Sequence, residues 1–380
     1  MKGGRRVAVL GGGAAGLMAA VMAARHGAAV TILETNDRVG KKLLKTGNGR
    51  CNLTNTRLSA AGYNRPGFVA PTLAQYSCAG LRALFEGLGL WTVADAEGRV
   101  YPYSDAASSV LDVLRLAAAA GGAAERCSAT VKTLAPQSGS FLIRLADGTA
   151  LWADAVVVAT GGGTALLEPL GHRTVLRAPA LCPIRTETAQ LRGLSGLRAH
   201  CRATLREGER ELAFETGELL FRDYGVSGVL IFELSRRAEA GQTLSLDLAP
   251  EFSHGELLAR LQKHAALGIA ASEPLIGILR RRIAQAVVRY AGSTAPEALC
   301  RALKDFRLPV LGLAETEQAQ VTRGGADVGQ LDAATLESRL YPGLYAAGET
   351  LDIDGRCGGY NLHWAFASGA IAGANAAAGV

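Results

Sequence analysis

The residues with chemistry to offer sit at opposite ends of this chain. Near the start, the apolar run Val7-Ala8-Val9-Leu10 leads into Gly11-Gly12-Gly13-Ala14-Ala15-Gly16, a G-x-G-x-x-G spacing. An alanine-rich stretch from Ala14 to Arg25 follows, and a second apolar run, Ala29 to Leu33, ends in Glu34. This order predicts strand, tight turn and helix. Gly11 makes the turn, Gly13 lets the backbone approach a pyrophosphate, and Gly16 lets helix and strand pack closely. Ala14 and Ala15 open the helix, whose unpaired N–H groups attract the anion. Glu34 is expected to accept hydrogen bonds from the adenosine ribose hydroxyls. Near the other end, Leu344 to Ala347 reads as a buried strand turning at Gly348-Glu349. Cys357-Gly358-Gly359-Tyr360-Asn361 then precedes an Ala/Gly-rich helix running from Leu362 to Ala378. That helix start can point its dipole at the N1/O2 edge of an isoalloxazine and stabilise a reduced, anionic flavin. Together the two ends predict one large cofactor, FAD, gripped by both.

A third segment, Arg38 to Asn55, is cationic and rich in glycine and amides. Lys42, Gly47, Gly49, Arg50, Cys51 and Asn52 are its expected cofactor contacts, with backbone N–H groups approaching a flat ring. The apolar run Ala155 to Ala159 ends in Thr160-Gly161-Gly162-Gly163, as a buried strand feeding a ligand turn does. Ala159, Thr160 and Gly161 therefore join the expected set, with Val131, Gly348, Glu349, Asp352, Gly358, Gly359, Tyr360, Asn361 and Leu362. Two thiols are candidate proton donors beside the ring, Cys357 and Cys51. The competing reading of each is a small packing residue. His363, a lone histidine just inside the last helix, reads as structural. No His/Cys/carboxylate spacing points to a metal.

The chain has 380 residues, 49% hydrophobic and 19% charged, a globular composition large enough for two or three domains. No apolar run is long enough to span a bilayer. Seven cysteines without a C-x-x-C argue against a disulfide reductase and for a reducing cytoplasm. Net charge is +6 and uneven: residues 251–310 carry nine Lys+Arg against five Asp+Glu. Arg280, Arg281, Arg282 and Arg289 are its core, expected within one helix, with Arg301, Lys304 and Arg307 close by. A solvated helix face explains such a band, and so does a surface for the phosphates of ribosomal RNA. Aromatics are sparse there, so base stacking is not expected.

The chain order predicts an α/β fold: a two-dinucleotide-type, Rossmann-like FAD-binding domain with an inserted β-barrel domain and a small helical domain. The FAD-binding domain is expected over 1–180 and 326–380, the barrel over 181–250 and 305–325, and the helical domain over 251–304. The glycine motif with Glu34, the Thr46 to Asn55 loop, Gly217-Glu218-Leu219-Leu220-Phe221 with Tyr224 to Gly228, Gln320 to Gly325, and Gly348 to Leu362 all resemble one family. This is the bacterial HI0933-like, or BaiN-like, family of NAD(P)/FAD-dependent oxidoreductases, and the resemblance spans the whole chain. It implies the same three-part organisation, FAD as resident cofactor and NAD(P)H as a transient reductant, since no second G-x-G-x-x-G is present. It also implies several substrates. One branch reduces a uridine of large-subunit ribosomal RNA, another reduces conjugated double bonds of steroid-like acids, and a third oxidises small amino ketones. The basic band favours the ribosomal uridine. The alternatives are a small-molecule ene-reductase, an amino-ketone oxidase, and a flavin-binding protein without turnover.

Overall fold

The computed structural model describes residues 4–268, 273–319 and 321–379. Contacts divide the chain into two units, Met1–Ala178 with Val321–Val380, and Pro179–Gln320.

In the first unit five short strands form a parallel sheet in the order Leu344–Ala346, Ala155–Val158, Arg6–Leu10, Ala29–Leu33 and Ala124–Arg126. Its central strands are continuous apolar runs because both faces are covered. Val9, Leu10, Val156, Val157 and Val158 are all buried. The helix Ala14–Arg25 and the strand Ala29–Leu33 have the bounds expected from the sequence. The last helix begins two residues earlier than expected, at Tyr360, and runs to Ala378.

The first and last helices touch along a line of small residues. A Cβ at Gly369 would lie 2.3 Å from the Ala15 carbonyl oxygen, and one at Gly373 would lie 2.1 Å from that of Ala19. Equal four-residue steps on both helices make the crossing parallel. Both N-termini therefore face the same end of the unit, offset along the axis by about 12 Å from the helical rise.

Beside this sheet, a small antiparallel sheet orders Thr54–Asn55, Arg99–Pro102 and Thr92–Ala94. A second hairpin sheet contains Val131–Gln137, Ser140–Leu145 and Ala150–Ala153.

The second unit is built on a closed six-strand barrel. Its strands are Ile184–Thr186, Gly225–Ser227, Arg210–Arg222, Arg198–Glu207, Thr243–Asp247 and Phe306–Leu313. Alternation along Arg198–Glu207 puts Cys201, Ala203 and Leu205 in its core. The helices His254–Ala266, Arg281–Ala291 and Pro296–Lys304 add Leu257, Leu261, Ile283, Val287, Leu299 and Leu303 to that same core. Residues 251–304 thus share their core with the barrel, while Val321–Ala326 pairs with Thr174–Ala180. Among the described residues no helix is long and apolar enough to cross a membrane.

Candidate functional site

The glycine motif is held by contacts that exclude any side chain. Gly11 has φ +105, its N–H donates to Leu33 O, and a Cβ there would lie 2.4 Å from Ala159 O. A Cβ at Gly16 would lie 1.9 Å from Gly11 O. Gly13 differs: a Cβ there would meet nothing within 4 Å, so open space lies before the first helix. No side chain caps that helix and no acidic residue occupies its first turn, leaving N–H groups and a positive dipole end for an anion. Glu34 is buried beside it. Its carboxylate accepts from Gly12 N at 2.8 Å, from Asn36 N at 2.8 Å and from Asn36 Nδ2 at 2.6 Å. A carboxylate has about four acceptor sites, so one is left for a ribose hydroxyl. Val131 begins the strand that follows Ala129, whose N–H donates to Glu34 O. Ala159 N donates to Leu10 O, and the turn after it carries Thr160 and the positive-φ Gly161.

The far end has the same character. Gly358 and Gly359 have φ +99 and +100, and a Cβ at Gly359 would lie 2.4 Å from Thr54 O. No side chain caps the last helix by accepting from its first turn, and that turn holds no acid. Asn52, with its amide donating to Val100 O and Thr54 O, accepts from Gly359 N at 3.2 Å. Asn361 closes the preceding turn through Gly355 N and O, and the Tyr360 hydroxyl donates to Arg57 O. Gly348 N donates to Ser368 Oγ, and Leu362 is half-buried in the first turn. Gly47, Asn48, Gly49 and Cys51 all have positive φ, which bends the loop tightly against Tyr101.

Several expected ligands have their charge engaged within the protein. Lys42 pairs with Glu349, whose other oxygen accepts from Thr322 N at 2.5 Å. Asp352 is buried, and Arg65 donates to it at 2.5 and 2.9 Å, pinning the helix Pro66–Gln75 to this segment. Its side chain is therefore already engaged within the protein. The expectation that Cys51 donates a proton is corrected. Cys51 has no exposed surface, burial pushes its thiol up to about 12, and its side-chain partner is Thr46. A thiol sealed from the surface cannot reach a substrate, so Cys51 packs. Cys357 is half-buried at the turn before Gly358. His363 is buried between Thr54 Oγ1 at 2.8 Å and Tyr76 O at 2.9 Å. Its Nε2–H donates to the carbonyl and Nδ1 accepts from the hydroxyl, and burial lowers its pKa to about 4.

Sequence reasoning missed the surroundings of Arg50. Its guanidinium lies 4.1 Å over the Tyr101 ring, and Nε donates to Asp105 Oδ1 at 2.5 Å. The signal was Tyr101 and Tyr103 at alternate positions, two aromatics on one face of a strand.

The basic band is weaker than its composition. Arg280 precedes the helix Arg281–Ala291 rather than lying in it. Arg281 pairs with Glu273 at 3.1 Å, Lys304 with Asp247 at 2.5 Å, and Arg307 with Asp305 at 2.7 Å. Arg280, Arg282 and Arg289 remain exposed.

Two helix ends without side-chain caps face one way, the first with open space before it at Gly13 and the second set by a tight glycine turn against Thr54, an arrangement that fits a dinucleotide with a pyrophosphate and a flat anionic ring. The fold and site are those of an FAD-dependent oxidoreductase. The sequence model of the HI0933-like protein Rossmann domain matches residues 5–375, and the chain belongs to that family. It is 34% identical to the 3-dehydro-bile acid delta(4,6)-reductase of Clostridium scindens, over 98% of this chain and 99% of that protein. It is 26% identical to the ribosomal RNA dihydrouridine synthase of Escherichia coli, over 95% of each. Among solved structures, 3-ketosteroid-delta4-(5alpha)-dehydrogenase from Rhodococcus jostii aligns over 98% of this chain and 97% of its own, with a TM-score of 0.49 and 16% identity.

Proposed function

We propose that this chain is an NAD(P)H-fed reductase of a carbon–carbon double bond conjugated to a carbonyl, in a small and largely apolar molecule. The observation that carries this reading is the end-to-end similarity to a bile-acid double-bond reductase. The ribosomal uridine favoured by composition is supported by relatives of lower identity. It is also weakened by the acids that pair Arg281, Lys304 and Arg307.

In this reading the first helix and its glycine turn hold the FAD pyrophosphate, and Glu34 holds the adenosine ribose. Ala159 to Gly161 and Val131 line the same end. The Gly47 to Asn52 backbone and the Gly358 to Leu362 helix start hold the isoalloxazine. When bound there, FAD would supply hydride chemistry, linking NAD(P)H as the reductant to an electron-poor alkene carbon as the acceptor. The last helix dipole stabilises negative charge on the ring edge. Cys357, at the mouth of that turn, keeps a proton for the adjacent substrate carbon.

The test is anaerobic. NADPH and NADH are each mixed with the purified holoenzyme, then a panel of conjugated ketones is added and the saturated products are identified by mass spectrometry. Flavin that bleaches with NAD(P)H and is reoxidised by a conjugated ketone supports the reading. Reoxidation by oxygen alone, with peroxide released, identifies an oxidase instead. Loss of a dihydrouridine from ribosomal RNA in a deletion strain identifies the uridine branch.

A further inference from the structure

We propose that Arg50 and the aromatic face beside it form the substrate-recognition surface. Arg50 receives the carbonyl oxygen, and Trp91, Val93 and Tyr103 receive the flat apolar body that carries it. The inference rests on the reductase reading and names the surface by which that activity selects its substrate.

The register of the small antiparallel sheet sets the geometry. Val93 lies opposite Tyr101, and Tyr103 N donates to Trp91 O at 2.8 Å, extending the ladder by one pair. Opposed and alternate residues share a face, so Trp91, Val93, Tyr101 and Tyr103 form one surface. Tyr101 is only 7% exposed, with the Arg50 guanidinium lying over it. Trp91, Val93 and Tyr103 are 69%, 47% and 71% exposed. The Trp91 and Tyr103 rings meet edge to face, with centroids 6.5 Å apart. A contiguous aromatic surface left in water marks a ligand site more often than a scattered apolar residue does.

Arg50 supplies the polar half. Of its five N–H donors, the one on Nε is taken by Asp105. The terminal amino groups have no acceptor among the described residues. Ring stacking and the Asp105 contact together fix the plane of the guanidinium, so its outer edge is pre-set for one oxygen acceptor. The two residues that flank this arrangement, Cys51 and Asp105, are both held at positive φ, +59 and +56. Backbone of this kind persists where its surroundings over-determine it, and it collects at functional sites.

The charge pattern selects among ligands that pair an oxygen with a flat body. Asp95, Glu97 and Asp105 neutralise Arg99 and Arg50 along this rim. A surface that binds a phosphate backbone needs an excess of cations, and this rim has none. A neutral carbonyl needs only the donor edge.

The test uses holoenzyme variants Trp91→Ala, Tyr103→Ala, Arg50→Gln, Tyr101→Leu and Tyr101→Phe. FAD content and melting temperature report folding. Equilibrium binding of a saturated polycyclic ketone to the oxidised enzyme is followed by the flavin spectrum, and KM and kcat are measured with a conjugated ketone. The aromatic truncations should weaken ketone binding and raise KM roughly tenfold or more, the scale of exposing one large apolar side chain's partner. Arg50→Gln should lower kcat/KM about 10–100-fold, the scale of a charge-assisted hydrogen bond. Tyr101→Leu should reproduce that loss and Tyr101→Phe, which keeps the ring, should restore it. Ketone binding unchanged in the aromatic variants overturns the proposal, as does loss of FAD from a folded Arg50→Gln protein. Loss of single-stranded oligoribonucleotide binding in the aromatic variants, with ketone binding intact, overturns it in favour of RNA. A wild-type enzyme that binds the ketone but reduces no conjugated alkene refutes the reductase reading and leaves this surface standing.

Discussion

The two glycines that flank the start of the first helix separate packing from ligand binding. At Gly16 an added methyl would lie 1.9 Å from Gly11 O and 3.3 Å from a Val9 methyl, within a turn whose own Gly11 presses on Ala159. Nothing there can give way cheaply, so Gly16→Ala should destabilise the apo-protein by about 1–3 kcal/mol or more, the cost of overpacking. At Gly13 the backbone is extended, φ −83 and ψ −168, and a methyl meets nothing within 4 Å. Gly13→Ala should therefore change apo stability by less than about 1 kcal/mol, the cost of alanine at an N-cap. Cofactor binding should respond in the opposite proportion. The first internal bond of this helix runs from Leu17 N to Gly13 O, so earlier N–H groups are available to a pyrophosphate. A methyl in front of them should remove at least one charge-assisted hydrogen bond, about 1.5–3 kcal/mol, or roughly 10–100-fold in Kd. Thermal melts of the flavin-free proteins and fluorescence titration with FAD give both numbers. A Gly13→Ala protein that melts as the wild type and binds FAD with unchanged affinity would refute the reasoning.

Cys357→Ala should leave flavin reduction by NAD(P)H intact and slow reoxidation by substrate about 10²–10⁴-fold in stopped flow; equal loss in both half-reactions would assign the thiol to structure. Charge reversal at Arg282 and Arg289 should leave FAD content, NAD(P)H oxidation and ketone reduction unchanged. A steeply salt-dependent RNA affinity lost in that variant would restore the ribosomal reading. His363 has a folded pKa of about 4, below the ordinary 6.5, so the unfolded chain binds the extra proton between those values. Stability should be full above pH 6.5 and fall by up to about 1.4 kcal/mol per pH unit as pH drops toward 4. His363→Gln should flatten that slope in pH-dependent melts.

Most of the FAD-binding unit was legible because its signals are local. Glycine spacing, an apolar strand and a terminal acid follow one another in sequence, and the first helix and second strand have the bounds that order predicts. The barrel strand Arg198–Glu207 was legible from its alternation for the same reason. What stayed hidden depends on pairing across the chain. Nothing local to Asp352 shows that its carboxylate carries Arg65, far off along the chain. Cys51 reads as a reactive thiol in a polar loop until its positive φ turns the side chain into the core. The basic band lost strength through pairing too: Asp247, outside it, holds Lys304, and Glu273, within it, holds Arg281. Composition counts charges, but it does not report their partners.

The Ala/Gly content of the two terminal helices carries an argument of its own. Neither helix is strongly amphipathic, and both are buried along most of their length. Gly369 and Gly373 cost helix propensity, roughly 1 kcal/mol each relative to alanine. Packing alone does not demand that, because larger residues on both helices would fill the same space at a wider spacing. Glycine is required because backbone meets backbone at Ala15 and Ala19. The parallel close crossing then fixes the axial offset between two unblocked positive helix ends. A ligand that bridges them experiences both fields at a set separation. If FAD bridges both ends as proposed, enlarging Gly369 or Gly373 should shift one helix end relative to the other and weaken FAD binding while the glycine motifs themselves stay intact; unchanged FAD affinity in a folded Gly369→Ala protein would refute this.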